Sequence, residues 1–318
     1  MKKLVISPNA GMCNRFRAMA SALLLARLSG RELFHTWTVD PPFKRDIEIV
    51  AQMRASTFTH FFQESPAIPY MKLDASSSID AVFSEWAPKS HWYAAQSTAI
   101  QRAGYSGEIV AERDPADLIL DCDADTILVE SSRALRPSSM AVEDFADALT
   151  EIYQEHFLPL PRFEDEVEAF SEGKRYAGLH IRRADHLMYE LKAHIRVRDW
   201  VDLMLRNVPR DEVVLICSDD ERFATHVGDA LPNKVLRLEP APGTAAKDYA
   251  FLDFLCLARS SRIFGTYGSS YSTEAARFGG TTIQVFGSDF GKKLRSWVGL
   301  LPKGEPALRL MPLTSPKN

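Results

Sequence analysis

Val213-Val214-Leu215-Ile216-Cys217 is an unbroken apolar run, rich in β-branched residues, that stops abruptly at Ser218-Asp219-Asp220. A strand without polar alternation has both faces covered, the habit of parallel sheets flanked by helices. Four neighbouring stretches also read as strands: 176–182, Val235-Leu236-Arg237-Leu238, Arg262-Ile263-Phe264-Gly265 and Thr282-Ile283-Gln284-Val285-Phe286. Between them lie apolar residues at helical spacing, over 197–207, up to Ala230, over 246–258 and up to Phe278. Five strand–helix alternations predict an α/β domain with a doubly wound parallel sheet.

The first half opens the same way. Residues 2–6 read as a strand, Ser7-Pro8-Asn9-Ala10-Gly11 as the loop leaving it, and Asn14 as the start of a helix. Phe16, Met19, Ala20, Leu23, Leu24 and Leu28 give that helix its apolar face; Gly30 ends it and Glu32-Leu33-Phe34 begins the next strand. This is the opening of a second Rossmann-like half. Prolines 41, 42, 66, 69 and 88 then punctuate aromatic pieces such as His60-Phe61-Phe62 and His91-Trp92-Tyr93, read as small helices and loops whose aromatics pack in the core. Thr126-Ile127-Leu128-Val129-Glu130 is a buried strand, and helices follow over 141–157 and 163–171. Pro159 and Pro161 break the chain between those helices. Two Rossmann-like domains are therefore expected, 1–165 with an irregular insertion over 40–120, and 166–318. The tail from Leu310 is expected to be loosely held.

Composition narrows the partners. With 38 basic against 42 acidic residues the net charge is −4, which argues against a nucleic-acid-binding surface. Any polyanion must be met locally by a few arginines. Cys13, Cys122, Cys217 and Cys256 are far apart and suggest neither a disulfide framework nor a zinc site. The apolar stretches at 4–6 and 18–28 are too short for a signal peptide or a membrane span, so a reduced, bacterial-type cytoplasm is expected. No motif fixes an oligomeric state.

The chemistry gathers in loops that leave the carboxyl ends of the second-half strands, where open α/β sheets place their ligands. The first is Gly178-Leu179-His180-Ile181-Arg182-Arg183-Ala184-Asp185-His186. Guanidinium groups are planar, always charged and grip phosphate oxygens in pairs of hydrogen bonds. One arginine would hold a diphosphate while its neighbour pairs with Asp185. The others are Ser218-Asp219-Asp220 and the turn Gly268-Ser269-Ser270, where small residues at a helix start suit a phosphate oxygen. Asp253, on the helix feeding that turn, is either a solvated residue or an acceptor for a guanine edge or a ribose. Asn14 is either an N-cap or an amide aimed at a ligand. Together these loops describe a nucleoside diphosphate pocket.

Gly11-x-x-Asn14 opening the first helix, His180-x-Arg182-Arg183-x-Asp185 after the middle strand, and Asp253 followed by Ser269-Ser270 resemble the GDP-fucose-dependent fucosyltransferase superfamily. Their spacing is similar to that of its α1,6 members. The likeness spans roughly 174–286 and 9–35 and does not extend over 40–120. It implies a GT-B-like pair of domains, 1–165 facing a glycan-type acceptor and 166–318 holding the nucleotide-sugar donor GDP-fucose, with no metal or other cofactor and inversion at the anomeric carbon. It also implies that Arg182 holds the β-phosphate, that Arg183 supports loop and phosphate, and that Asp185 orders both. His180 and Asp253 would contact guanine, Ser269 and Ser270 the phosphate, and Asn14 the donor, while Asp219 and Asp220 line the cleft. Glu190, five residues past Asp185, matches the general base; pairing with Lys192 is the other reading. Two departures stand out: Cys13 replaces a second glycine, and His186 replaces a lysine that assists the base, leaving a proton relay open as its role.

Overall fold

The computed structural model describes residues 2–8, 11–37, 56–70, 90–94, 115–123, 126–183, 195–239, 243–286 and 310–311. The chain divides into two compact units, Met1–Leu160 and Pro161–Asn318.

In the first unit β1 (Lys3–Pro8) leads into α1 (Met12–Ser29) and β2 (Glu32–His35); β3 (Ser90–Ala94), α2 (Pro115–Asp121), β4 (Thr126–Ser131) and α3 (Val142–His156) follow. The sheet order is β2-β1-β4-β3, with every pair parallel. β1 is central, Lys3 lying opposite both Glu32 and Thr126. Helix α1 starts earlier than expected. Gly11 takes the N-cap position through its backbone alone, so Asn14 is the third helical residue and not the cap. The helix is buried nearly all round from Met12 to Ala26, and Gly30 closes it in the left-handed conformation. Phe16 packs edge-on against Phe62 and Phe157 at 5.1 and 6.1 Å between ring centroids, with Trp37 beside it. Of the aromatics read as core, Phe61 and Phe62 are buried, as is Phe58 beside them, while His60 is half-buried. Ser90–Ala94 departs from the expectation of small helices and loops. It is a parallel strand, in register with β4.

The second unit begins with α4 (Pro161–Ser171), proline standing at the first helical position where no N–H is missed. Then come β5 (Tyr176–Ile181), α5 (Val197–Asn207), β6 (Val213–Ser218), α6 (Glu221–Ala230), β7 (Val235–Leu236), α7 (Ala246–Ala258), β8 (Ile263–Thr266), α8 (Ser270–Gly279), β9 (Ile283–Phe286) and β10 (Leu310–Met311). All pairs are parallel, in the order β10-β9-β8-β5-β6-β7. Counted by chain order within the unit this is 3-2-1-4-5-6 with its ends reversed, the strand order of a dinucleotide-binding sheet.

Alternation along β5 explains the layers. Ala177, Leu179 and Ile181 join Trp200 and Met204 of α5, Val214 and Ile216 of β6, and Val227 of α6 in one core. From the opposite face the Tyr176 hydroxyl donates to the Cys256 carbonyl of α7 at 2.8 Å. Gly178, also on that face, approaches Leu257 and Ser260 so closely that a Cβ would lie 2.6 and 2.8 Å from their side chains. The tail expectation is corrected at its start: Leu310 and Met311 pair with Val285 and Phe286 as an edge strand. Among the described residues no helix is long and apolar enough to cross a membrane.

Candidate active site

Strands β5 and β8 are neighbours, yet the chain leaves them toward opposite edges of the sheet. A crevice opens at the carboxyl ends of such a pair. There two hydroxyls fix the tip of β5. Thr266 Oγ1 accepts from the Arg182 N–H at 2.9 Å and donates to the His180 carbonyl at 3.1 Å. On the other side the Ser218 hydroxyl donates to the Ile181 carbonyl at 2.8 Å.

Both arginines are held by the acidic pair that ends β6. Arg182 Nε lies 3.2 Å from Asp219 Oδ2, while its terminal amino groups make no hydrogen bond to any described residue. Its side chain is 32% exposed, so the open end of the fork is reachable from solvent. Asp219 Oδ1 accepts from the Arg183 N–H at 2.7 Å. Arg183 Nε donates to Asp220 Oδ2 at 3.1 Å, and the other Asp220 oxygen caps α6 by accepting from the Phe223 N–H at 3.0 Å. The expected partner, Asp185, lies outside the described residues, as do His186 and Glu190.

The serine turn follows β8. Gly268 sits at φ 72°, where a side chain is strained, and Ser269 is the N-cap of α8. Its hydroxyl makes no capping bond, although the residue is buried. The Ser269 N–H donates to the Thr266 carbonyl at 3.2 Å, so the residue that bonds the Arg182 backbone also anchors this turn. Ser270 is the first helical residue. First-turn N–H groups lack partners within their helix, and its dipole adds positive potential there.

A second cluster forms around Tyr271. Its ring stacks on His180 with centroids 4.9 Å apart and planes at 24°. Its hydroxyl lies 2.8 Å from the Ala250 carbonyl and 3.2 Å from Asp253 Oδ2. Burial pushes the Asp253 carboxyl up from 3.8 to about 6, with the Tyr271 hydrogen bond acting in the opposite direction. A folded-state value above the unfolded one means that the native protein binds the extra proton first. Stability contributed by protonated Asp253 is thus complete below about 3.8 and lost as pH rises through about 6. Relative to Asp253→Asn, the wild-type melting temperature is expected to fall between pH 4 and 6.5 and to level off above, as calorimetry across that range would reveal.

Of the residues singled out in the sequence, Arg182, Arg183, Asp219 and Asp220 form one linked group, Ser269 and Ser270 join it through Thr266, and Tyr271 connects His180 with Asp253. Asn14 belongs to the first unit, half-buried, with no side-chain hydrogen bond among the described residues. Sequence reading gave Ser218 no role beyond membership of its loop and missed Thr266, Phe223 and Tyr271. The signal for the first two was a hydroxyl residue ending an apolar strand. Arg15 was missed as well: it is wholly buried in the first turn of α1, its guanidinium 5.2 Å from the Trp37 ring. A cavity of about 400 Å³ at the β7 edge, lined by Thr225, Asn233 and Arg237 among others, includes none of the expected site residues.

Two parallel α/β units, the second carrying an arginine pair, an acidic pair and a serine turn on one rim, share the GT-B fold of a fucosyltransferase solved with GDP or GDP-fucose. The NodZ α-1,6-fucosyltransferase co-crystallized with GDP aligns with a TM-score of 0.56 at 17% identity, over 86% of this chain and 92% of that one; the enzyme has also been solved from Bradyrhizobium. A mutant of Arabidopsis thaliana FUT1 in complex with GDP gives 0.56 at 12% identity, over 89% and 70% of the two chains. POFUT1 in complex with GDP-fucose gives 0.52 at 11% identity, over 89% and 97%. No protein-family model and no curated protein sequence matches this chain.

Proposed function

We propose that this chain is an inverting glycosyltransferase, metal-independent, that moves fucose from GDP-fucose to a hydroxyl of a glycan or glycolipid. The observation that carries the reading is the Arg182 guanidinium, held at Nε by Asp219 with its terminal amino groups making no hydrogen bond to a described residue, at a strand tip that Thr266 ties to the turn before α8. Departure of GDP leaves added negative charge on the β-phosphate. Arg182, Ser269, Ser270 and the α8 N-terminus would take up that charge without reorganising. The names of the fold neighbours, which bind GDP or GDP-fucose, support this donor.

In this reading 166–318 holds the donor and 1–165 faces the acceptor, with Asn14 touching the donor from that side. Glu190 takes the proton from the acceptor hydroxyl as its oxygen attacks the anomeric carbon, and GDP leaves from the opposite face. Asp185 orders the arginine segment and His186 relays the proton. His180 and Asp253 read guanine, whose N–H edge needs an ionised acceptor. Affinity for GDP should therefore drop as pH falls through about 6, and Asp253→Asn should flatten that dependence. The four cysteines, three of them buried, form no disulfide, which fits a reducing cytoplasm.

Thermal unfolding with GDP, UDP, ADP and CMP tests the donor. A ligand that binds only the native state adds about 2.7 kcal/mol at a hundredfold excess over its Kd. GDP should give the largest upward shift, and GDP-fucose should be hydrolysed slowly without an acceptor. A larger shift with another nucleotide would reassign the donor. GDP binding with no turnover on any glycan would leave a binding protein, and no shift at all would end this reading.

A further inference from the structure

The two arginines sit in different environments. Arg182 is a third exposed with its fork open, whereas the Arg183 side chain is only 16% exposed and is held at Nε, at Nη1 and over a ring. Its guanidinium carbon lies 3.9 Å from the centre of the Phe223 ring, close enough for stacking and cation–π attraction. Nε donates to Asp220, and Nη1 donates to the Ile195 carbonyl at 3.3 Å. Phe223 is anchored in turn: its N–H is capped by Asp220 and its ring packs against the core of the second unit. Arg183 and Ile195 flank residues 184–194, which hold Asp185, His186 and Glu190. One side chain thus spans both ends of that stretch and ties them to the start of α6.

We propose that Arg183 is a positioning residue and not a diphosphate ligand, with Phe223 as the platform that keeps it in place. The inference rests on the reading of Arg182 as the phosphate grip and of 184–194 as the carrier of the base. A guanidinium seated over a ring and bonded at Nε and Nη1 is poorly placed to reach a phosphate. By joining the two flanks it fixes Arg183 and Ile195 relative to each other, and a group displaced by about 1 Å from its productive place loses rate by about a hundredfold.

Phe223→Leu gives the sharpest test, because that residue keeps apolar volume in the core while removing the ring. Hydrogen exchange of the 184–194 amides, GDP affinity by calorimetry and hydrolysis of GDP-fucose are measured on the full chain, beside Arg183→Lys. In both variants exchange should accelerate about tenfold and turnover fall about tenfold or more, with the Kd for GDP within about twofold of wild type, a split that only positioning produces. Exchange identical to wild type in Phe223→Leu would overturn the clamp. A Kd for GDP raised tenfold in Arg183→Lys, with exchange unchanged, would make Arg183 a ligand. A wild-type chain that binds no GDP defeats the donor reading instead, and the exchange comparison still decides whether the clamp exists.

Discussion

Arg182→Ala is expected to weaken GDP binding by about 100-fold or more while the protein stays folded. One charge-assisted bond is worth about 1.5–3 kcal/mol, or roughly 10- to 150-fold in affinity. The loss should lie at the upper end, because truncation also removes the Nε contact to Asp219 Oδ2. That carboxylate is only 14% exposed on its side chain, and its other oxygen stays bonded to the Arg183 N–H. With the guanidinium gone, its negative charge adds repulsion toward the incoming diphosphate. Two corollaries separate these terms. Arg182→Lys keeps the charge without the planar fork and should fall between wild type and alanine. Adding Asp219→Asn to Arg182→Ala should recover several-fold in affinity, because it removes the repulsion, a coupling that a double-mutant cycle measures directly. The fold should hardly notice: a partly exposed ion pair is worth about 0–1 kcal/mol, so the melting temperature should move by no more than about 3 °C. Unchanged affinity in Arg182→Ala would remove the observation on which the whole donor site stands.

The second unit was legible because its strands are largely apolar and three of them run into a polar residue at the rim: Arg182 after β5, Ser218 in β6 and Thr266 in β8. Val213–Ser218 is the plainest example, and the bounds of β5 and β6 lie within a residue of that reading. What the sequence could not supply was partnership across strands. Asp185 is two residues from Arg183 and invited pairing, yet Asp219 and Asp220, 37 residues from the arginines they hold through Nε, take that role among the described residues. Parallel strands place such distant residues side by side. Ser90–Ala94 was missed for a related reason: its strand character comes from lying in register with β4, and no local pattern announces it. The same holds for Leu310–Met311 on β9. At Asn14 the usual preference for a polar N-cap misled, because Gly11 takes the cap position with no side chain at all.

Gly279→Ala is expected to be the most damaging small substitution in the second unit. Gly279 ends α8 where that helix meets the end of α7, and an added Cβ would overlap the Ala258 carbonyl, with the Ala258 Cα only 3.3 Å away. A flexible side chain could swing aside, but a helix-end backbone cannot. Overpacking of this kind costs about 3 kcal/mol or more, which for a unit this size lowers the melting temperature by about 6–12 °C. Gly30→Ala is the instructive comparison. There φ is 64° but nothing lies within 4 Å of an added Cβ, so only backbone strain is introduced, about 1 kcal/mol. If the two variants lost equal stability in denaturant titrations, helix-to-helix contact would not be the reason for a glycine at 279. The effect should also reach the site. Relief of the overlap requires α8 to move away from α7, and α8 carries Ser269, Ser270 and the Tyr271 ring that stacks on His180. GDP affinity in Gly279→Ala should thus fall even under conditions where the variant is fully folded, whereas Gly30→Ala should leave it unchanged.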